Sequence, residues 1–211
     1  MLIIEFFKLY CRFLEIDLIS SLTKGRNIKV IYEFYKVFLI ITAKNPDMTT
    51  EDKNKAIKSL NLIISKYENN NNNISKLELC NKLDFNSIKS LYDIEMMIQE
   101  FNKANKIFRN KFDNKIFKQS IIEFNNALSH IIVGFTGDKT KFDKNINKAN
   151  SHLHRGILDF YKTIIKKTNL NNTQIQELKQ IREYEFNSIG LDTSSNKIKI
   201  ELIDKYKNFV S

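Results

Sequence analysis

One proline and five glycines in 211 residues leave this chain almost nothing with which to interrupt a helix. Pro46, Gly25, Gly134, Gly137, Gly156 and Gly190 stand well apart for the most part, and between them Leu, Ile, Phe, Lys and Glu recur at spacings of three and four residues. That is the period of an amphipathic helix. The pattern predicts an all-α fold, an antiparallel helical bundle of about seven to nine helices. At 42% hydrophobic and 11% aromatic residues, the chain carries enough apolar side chain for a packed core at this length.

The first segment, about Leu2 to Leu22, is apolar on most of its circumference, as a central helix or one that meets a partner chain would be. A second helix is expected over Asn27 to Ala43, rich in Tyr32, Phe34, Tyr35 and Phe38 and ended by Asn45-Pro46. Thr49, with Asp52 three residues on, reads as the capped start of a third, to about Tyr67. Asn69 to Asn73 offers no apolar group to bury and reads as an exposed loop. It divides the chain into an N-terminal helical subdomain, 1–68, the loop, 69–73, and a C-terminal bundle, 74–211, with one continuous domain as the alternative. Beyond the loop the spacing predicts a short helix near Ile74 to Lys82, a longer one from Asn86 toward Phe108 that breaks at Asn110 to Asn114, and another over Lys115 to Gly134. A turn at Phe135 to Asp138 leads to a helix over about Lys139 to Lys167. Thr173 with Gln176 reads as the capping box of a helix to about Ser188, and Lys197 to Phe209 as the last helix.

The net charge of +10 is regional. Residues 101–170 hold 14 Lys and Arg against 5 Asp and Glu, whereas residues 1–100 hold 14 against 13 and residues 171–211 hold 6 against 6. A nucleic acid, an anionic membrane or an acidic protein surface would select such a concentration of positive charge. Five of the 34 basic residues are Arg, which counts against bidentate phosphate and base contacts; abundant Lys, Asn and Ile also match an AT-rich genome.

The excess is ordered on the helix from Lys139. Lys141, Lys144, Lys148, Arg155, Lys162 and Lys166 fall within an arc of about 60° when drawn at about 100° per residue, opposite an apolar stripe of Phe142, Ile146, Ala149, Leu153, Gly156, Ile157, Phe160 and Ile164. The charged edge would run about 37 Å at about 1.5 Å per residue, long enough to follow several nucleotides. Asp159 lies inside the basic edge, spaced to pair with Arg155 and Lys162.

A short repeat links this helix to the one before it. Phe124 to Phe135 aligns with Ile146 to Ile157, sharing Asn, Ala, Ser, His and Gly. Ala127 with Gly134, and Ala149 with Gly156, would let two backbones approach closely. The histidines His130, His152 and His154 are all the chain has. A hairpin centred near residue 137 sets His130 opposite residue 144, leaving His152 about 12 Å further along at about 1.5 Å per residue, so no shared metal or proton is expected.

Other chemistry is excluded by spacing. The glycines form no GxGxxG or GxxxxGK loop, and there is neither an HExxH nor a Glu-x-x-His pair. Glu183 and Glu185 read as part of a solvated face. The Arg-x4–6-His signature of HEPN ribonucleases, also small basic helical proteins, is absent, because Arg12, Arg26, Arg109, Arg155 and Arg182 all lack the His. No catalytic residue, metal ligand or cofactor is assigned, and the expectation leans away from an enzyme. Cys11 and Cys80 form no CxxC pair, which suits a reducing, cytoplasmic setting. Glu5, Lys8, Arg12, Glu15 and Asp17 interrupt any signal-like core at the N-terminus, and Val37 to Ile41 is too short to span a membrane.

The expectation is a non-enzymatic helical binding protein that engages an anionic partner, nucleic acid or an acidic protein surface, through Lys141, Lys144, Lys148, Arg155, Lys162 and Lys166. The alternative is an assembly component, such as one of a bacterial defence or toxin–antitoxin system, whose basic face is merely solvated. Its N-terminal helices would form a homo-oligomer or dock a partner through Phe6, Phe7, Tyr10 and Phe13.

Overall fold

The structure, a computed structural model, describes residues 2–42, 48–79, 81, 83, 92–135, 139–189 and 196–210. Among the described residues there are eight helices and no strand: α1 Leu2–Lys24, α2 Ile28–Thr42, α3 Thr50–Asn69, α4 Tyr92–Lys111, α5 Lys118–Gly134, α6 Lys139–Lys166, α7 Asn172–Asn187 and α8 Asn196–Val210. The chain is an all-α helical bundle in two compact units, Met1–Ser90 with Ile131–Phe142, and Leu91–His130 with Asp143–Ser211.

In the first unit α1, α2 and α3 pack on one another around aromatic rings. Phe6, Phe7, Tyr10 and Phe13 of α1 are fully buried. Phe34 receives Phe6 and Tyr10 nearly edge-on at centroid distances of 5.6 and 5.1 Å, the geometry that ring quadrupoles favour. The four α1 aromatics proposed for oligomerisation are therefore core. The large apolar side chains that α1 leaves exposed are Leu18, Ile19 and Leu22. Thr49 and Asp52 close the expected capping box of α3.

The asparagine run lies within this unit, and it is not uniformly exposed. Asn69 ends α3, and Asn71 is buried because its amide reaches the Tyr67 carbonyl at 2.8 Å while its Oδ1 accepts from Lys24 Nζ at 3.0 Å. The short helix expected near Ile74 to Lys82 does not form over residues 74–79. The Leu77 amide instead donates to the Glu15 carbonyl at 3.1 Å and the Leu79 amide to Glu15 Oε1 at 3.0 Å, so contacts with α1 replace helical hydrogen bonds. Residues 84–91, where the next helix was expected to begin, and the turn at 136–138 lie outside the described residues.

The second unit is built around α6 from Asp143 onward. The break after α4 falls where expected, with Asp113 and Asn114 at positive φ, 48° and 62°, a conformation that Asn and Asp tolerate. The cap of α7 is Asn171 rather than Thr173: Asn171 Oδ1 accepts from the Gln174 amide at 2.9 Å and Gln174 Oε1 accepts from the Asn171 amide at 3.0 Å. Asparagine caps at least as well as threonine, and the Asn171–Gln174 spacing makes the same reciprocal box two residues earlier.

Candidate functional site

The apolar stripe of α6 packs as its spacing requires: Ile146, Ala149, Leu153, Ile157, Phe160 and Ile164 are all buried. On the opposite edge Lys141, Lys144, Lys148, Arg155 and Lys166 are exposed and Lys162 is partly so. Their surroundings differ. Lys144, Lys148 and Lys166 have no ion-pair partner among the described residues. Arg155 and Lys162 are instead held by carboxylates from neighbouring helices. Lys162 Nζ donates to Glu185 Oε1 of α7 at 2.5 Å and lies 5.6 Å from the Tyr206 ring centre. Arg155 Nε lies 3.6 Å from Glu123 Oε2 of α5. The edge is thus not six equivalent cations. Asp159, expected to pair with Arg155 and Lys162, makes an ion pair with neither among the described residues.

Within the second unit α5 and α6 run antiparallel, and three contacts set their register. Ser120 Oγ donates to the Gly156 carbonyl at 2.7 Å, His152 Nδ1 lies 2.7 Å from Glu123 Oε2, and His130 Nδ1 lies 3.0 Å from Asn145 Oδ1. Gly156 makes the close approach possible, because a Cβ there would fall 2.6 Å from Phe101 Cε2 and 3.2 Å from Glu123 Cβ. The repeat has a structural counterpart. Ser129 Oγ donates to the Asn125 carbonyl at 3.0 Å and Ser151 Oγ to the Asn147 carbonyl at 3.1 Å, the same bond in each copy. Ala127 and Ala149 are both buried.

The seam also overturns the expected separation of the histidines. The rings of His130 and His152 stack with centroids 5.0 Å apart and planes 25° apart. Counting residues along the helix axis measured the backbone, whereas side chains lean toward the N-terminus of their own helix. On antiparallel helices, His130 leans away from the hairpin end and His152 leans toward it, so the two rings converge.

His152 joins two opposite charges. Glu123 can only accept, so Nδ1–H of His152 donates to it, while Arg155 Nη2 rests against the ring, 2.7 Å from Nδ1 and 3.3 Å from Nε2. Burial holds the His152 pKa below its usual value of 6.5; hydrogen bonding to Glu123 opposes this, and the charges of Arg155 and His130 reinforce it.

Beside this trio lies a cleft of about 460 Å3, lined on its polar side by Glu123, His154, Arg155, Asp159, Lys162 and Glu185. Glu185, read from the sequence as solvated, is the hub of its far end: it accepts from Lys162, from Tyr206 Oη at 2.6 Å and from Arg182. Burial raises the Glu185 pKa, but the bonds from Lys162 and Tyr206 and the nearby cations outweigh it and hold the carboxyl below 4.5. Burial, with Glu123 adding to it, pushes the Asp159 carboxyl above its usual 3.8 despite the attraction of Lys162 and Arg155. The two cations of the cleft are thus answered by carboxylates from α5 and α7, whereas Lys144, Lys148 and Lys166 have no ion-pair partner among the described residues.

Among the described residues no group of three or more His, Cys, Asp or Glu is arranged to hold a metal ion, and no helix is long and apolar enough to cross a membrane. Sequence reading reached the stripe but missed Glu123 and Glu185, whose effect on it comes from other helices. The internal repeat was the available signal for the His130–His152 pair. Comparison with protein-family models, with curated proteins and with solved structures finds no match to this chain.

Proposed function

We propose that this chain is a non-enzymatic binding protein that engages a polyanion, nucleic acid in the first instance, through the N-terminal half of the α6 basic edge. The observation that carries this reading is the contrast along one helix: Lys144 and Lys148 are exposed without an ion-pair partner among the described residues, whereas α5 and α7 supply carboxylates to Arg155 and Lys162. Lys166 extends the exposed charge at the C-terminal end. Ammonium groups on flexible stems neutralise phosphates without reading bases, so affinity is salt-dependent and weakly selective for sequence. Phe160 is fully buried, so it offers no stacking platform, and a duplex suits the face better than a stacked single strand.

The test is fluorescence anisotropy with generic labelled duplex and single-stranded DNA and RNA at about 50 and about 200 mM salt, with polyglutamate as competitor. Duplex binding that falls steeply with salt and is lost in Lys144→Glu/Lys148→Glu supports the reading. No binding at the lower salt sinks it, and binding of polyglutamate in preference to nucleic acid moves the partner to an acidic protein.

The assembly reading survives in a changed form. Leu18, Ile19 and Leu22 on one end of α1 are its exposed apolar residues, at 46, 41 and 83%. A salt-insensitive dimer mass that reverts to the monomer in Leu18→Lys/Leu22→Lys would favour it.

A further inference from the structure

His152 donates from Nδ1 to Glu123 Oε2 at 2.7 Å, and Arg155 Nη2 rests against the ring, 2.7 Å from Nδ1 and 3.3 Å from Nε2. A proton on Nε2 makes the ring a cation that faces the guanidinium, with Arg155 Nη2 2.7 Å from Nδ1 and the His130 ring stacked at 5.0 Å. One carboxylate then faces two cations. The imidazolium stands at 2.7 Å from Glu123 and the guanidinium at 3.6 Å, so the nearer cation keeps the carboxylate.

Other charged groups lie around the trio. Lys148 is one helical turn before His152, Asp159 one turn beyond Arg155, and His154 follows on α6; from α8, Lys199 Nζ donates to Ser151 Oγ at 3.1 Å. Lys148 and Lys199 add to the repulsion that a proton on His152 meets, while Asp159 opposes it. Arg155 has somewhere to go, since its side chain is already 57% exposed and borders the edge that carries Lys148.

We infer that Glu123, His152 and Arg155 form a proton-operated latch, which holds Arg155 against α5 at neutral pH and releases it in acid to join Lys144 and Lys148 on the anion-binding edge. The consequence for binding rests on the proposed function; the release of Arg155 does not. Burial together with Arg155 and His130 sets the opening below the ordinary imidazole range.

The test uses the full chain and His152→Gln, whose amide can donate to Glu123 and takes up no proton at any pH in the range. In the first arm, NMR follows the His152 ring and the Arg155 Nε–H between about pH 7.5 and about pH 5. The Arg155 signal is expected to move in step with the ring in the native protein and to stay fixed in the variant. An Arg155 signal that ignores the ring titration overturns the latch. In the second arm, duplex affinity is measured at both ends of that range. The native protein should gain several-fold more in acid than His152→Gln, with a log–log salt slope steeper by about 1 to 2, as one or two further phosphate contacts imply. Equal gains in the two proteins overturn the latch as a regulator. Absence of duplex binding at either pH removes the proposed function, and the NMR arm then decides the latch by itself.

Discussion

Gly156 shows how one absent side chain sets the geometry of the second unit. Alanine in an open helix position would gain about 1 kcal/mol over glycine, but here its Cβ would meet the buried Phe101 ring at 2.6 Å. Gly156→Ala is therefore expected to destabilise the protein by about 1–3 kcal/mol, the usual cost of overpacking, in urea unfolding; a gain in stability would show that Phe101 yields freely. Glu185 is a second single-residue test. Glu185→Gln keeps the shape but leaves Lys162 and Arg182 without their carboxylate, with an expected loss of about 1–3 kcal/mol. Because its folded pKa lies below 4.5, the contribution of Glu185 is present above pH 4.5 and fades as the pH falls below it. For His152 the folded pKa lies below 6.5, so the unfolded chain takes up its proton first and stability falls as the pH drops from 6.5. A native stability curve flat from about pH 7.5 to about pH 5, and unchanged by His152→Gln, would contradict that sign. At this scale the sequence was least informative. His130 and His152 carried the same repeat position, but their meeting depends on the lean of side chains across a seam, which residue counting omits.

Among the elements, α6 was the most legible, because a long period of 3.6 residues fixes both which face is buried and which is charged. The apolar stripe is buried as expected from Ile146 to Ile164, whereas Phe142 at its start is half-buried. What periodicity could not show is that the carboxylates answering Arg155 and Lys162 come from α5 and α7, elements separated by about one helix length in sequence but adjacent through packing. Caps were legible in kind and imprecise in place. Thr49–Asp52 forms as read, whereas α7 begins with Asn171–Gln174, since both residue pairs have the required spacing and the helix takes the earlier one. Asn171→Ala should cost about 1 kcal/mol, with Thr173→Ala near neutral; the reverse order in thermal unfolding would contradict the cap assignment. The segment at 74–79 was misread because its apolar spacing also suits a strip laid along α1, where Glu15 takes up the amides of Leu77 and Leu79.

For the whole molecule, class was legible and partnership was not. The scarcity of proline and glycine and the three-to-four residue spacing led to the all-α bundle that is observed. The aromatic wealth of the N-terminal helices left open whether it served a core or a partner, since both uses look alike in sequence; burial of Phe6, Phe7, Tyr10 and Phe13 assigns it to the core of the first unit. Phe34→Ala, which would empty the centre of that cluster, should cost about 3–5 kcal/mol. The central claim concerns charge that the fold leaves uncompensated. The most direct measurement is the log–log salt dependence of duplex binding for the native protein beside Lys144→Gln/Lys148→Gln and Lys162→Gln. The account predicts that the slope falls by about 2 in the double variant and hardly changes for Lys162→Gln, because Glu185 already occupies that ammonium. Equal slopes in the native protein and the double variant, or a larger loss at Lys162, would contradict it.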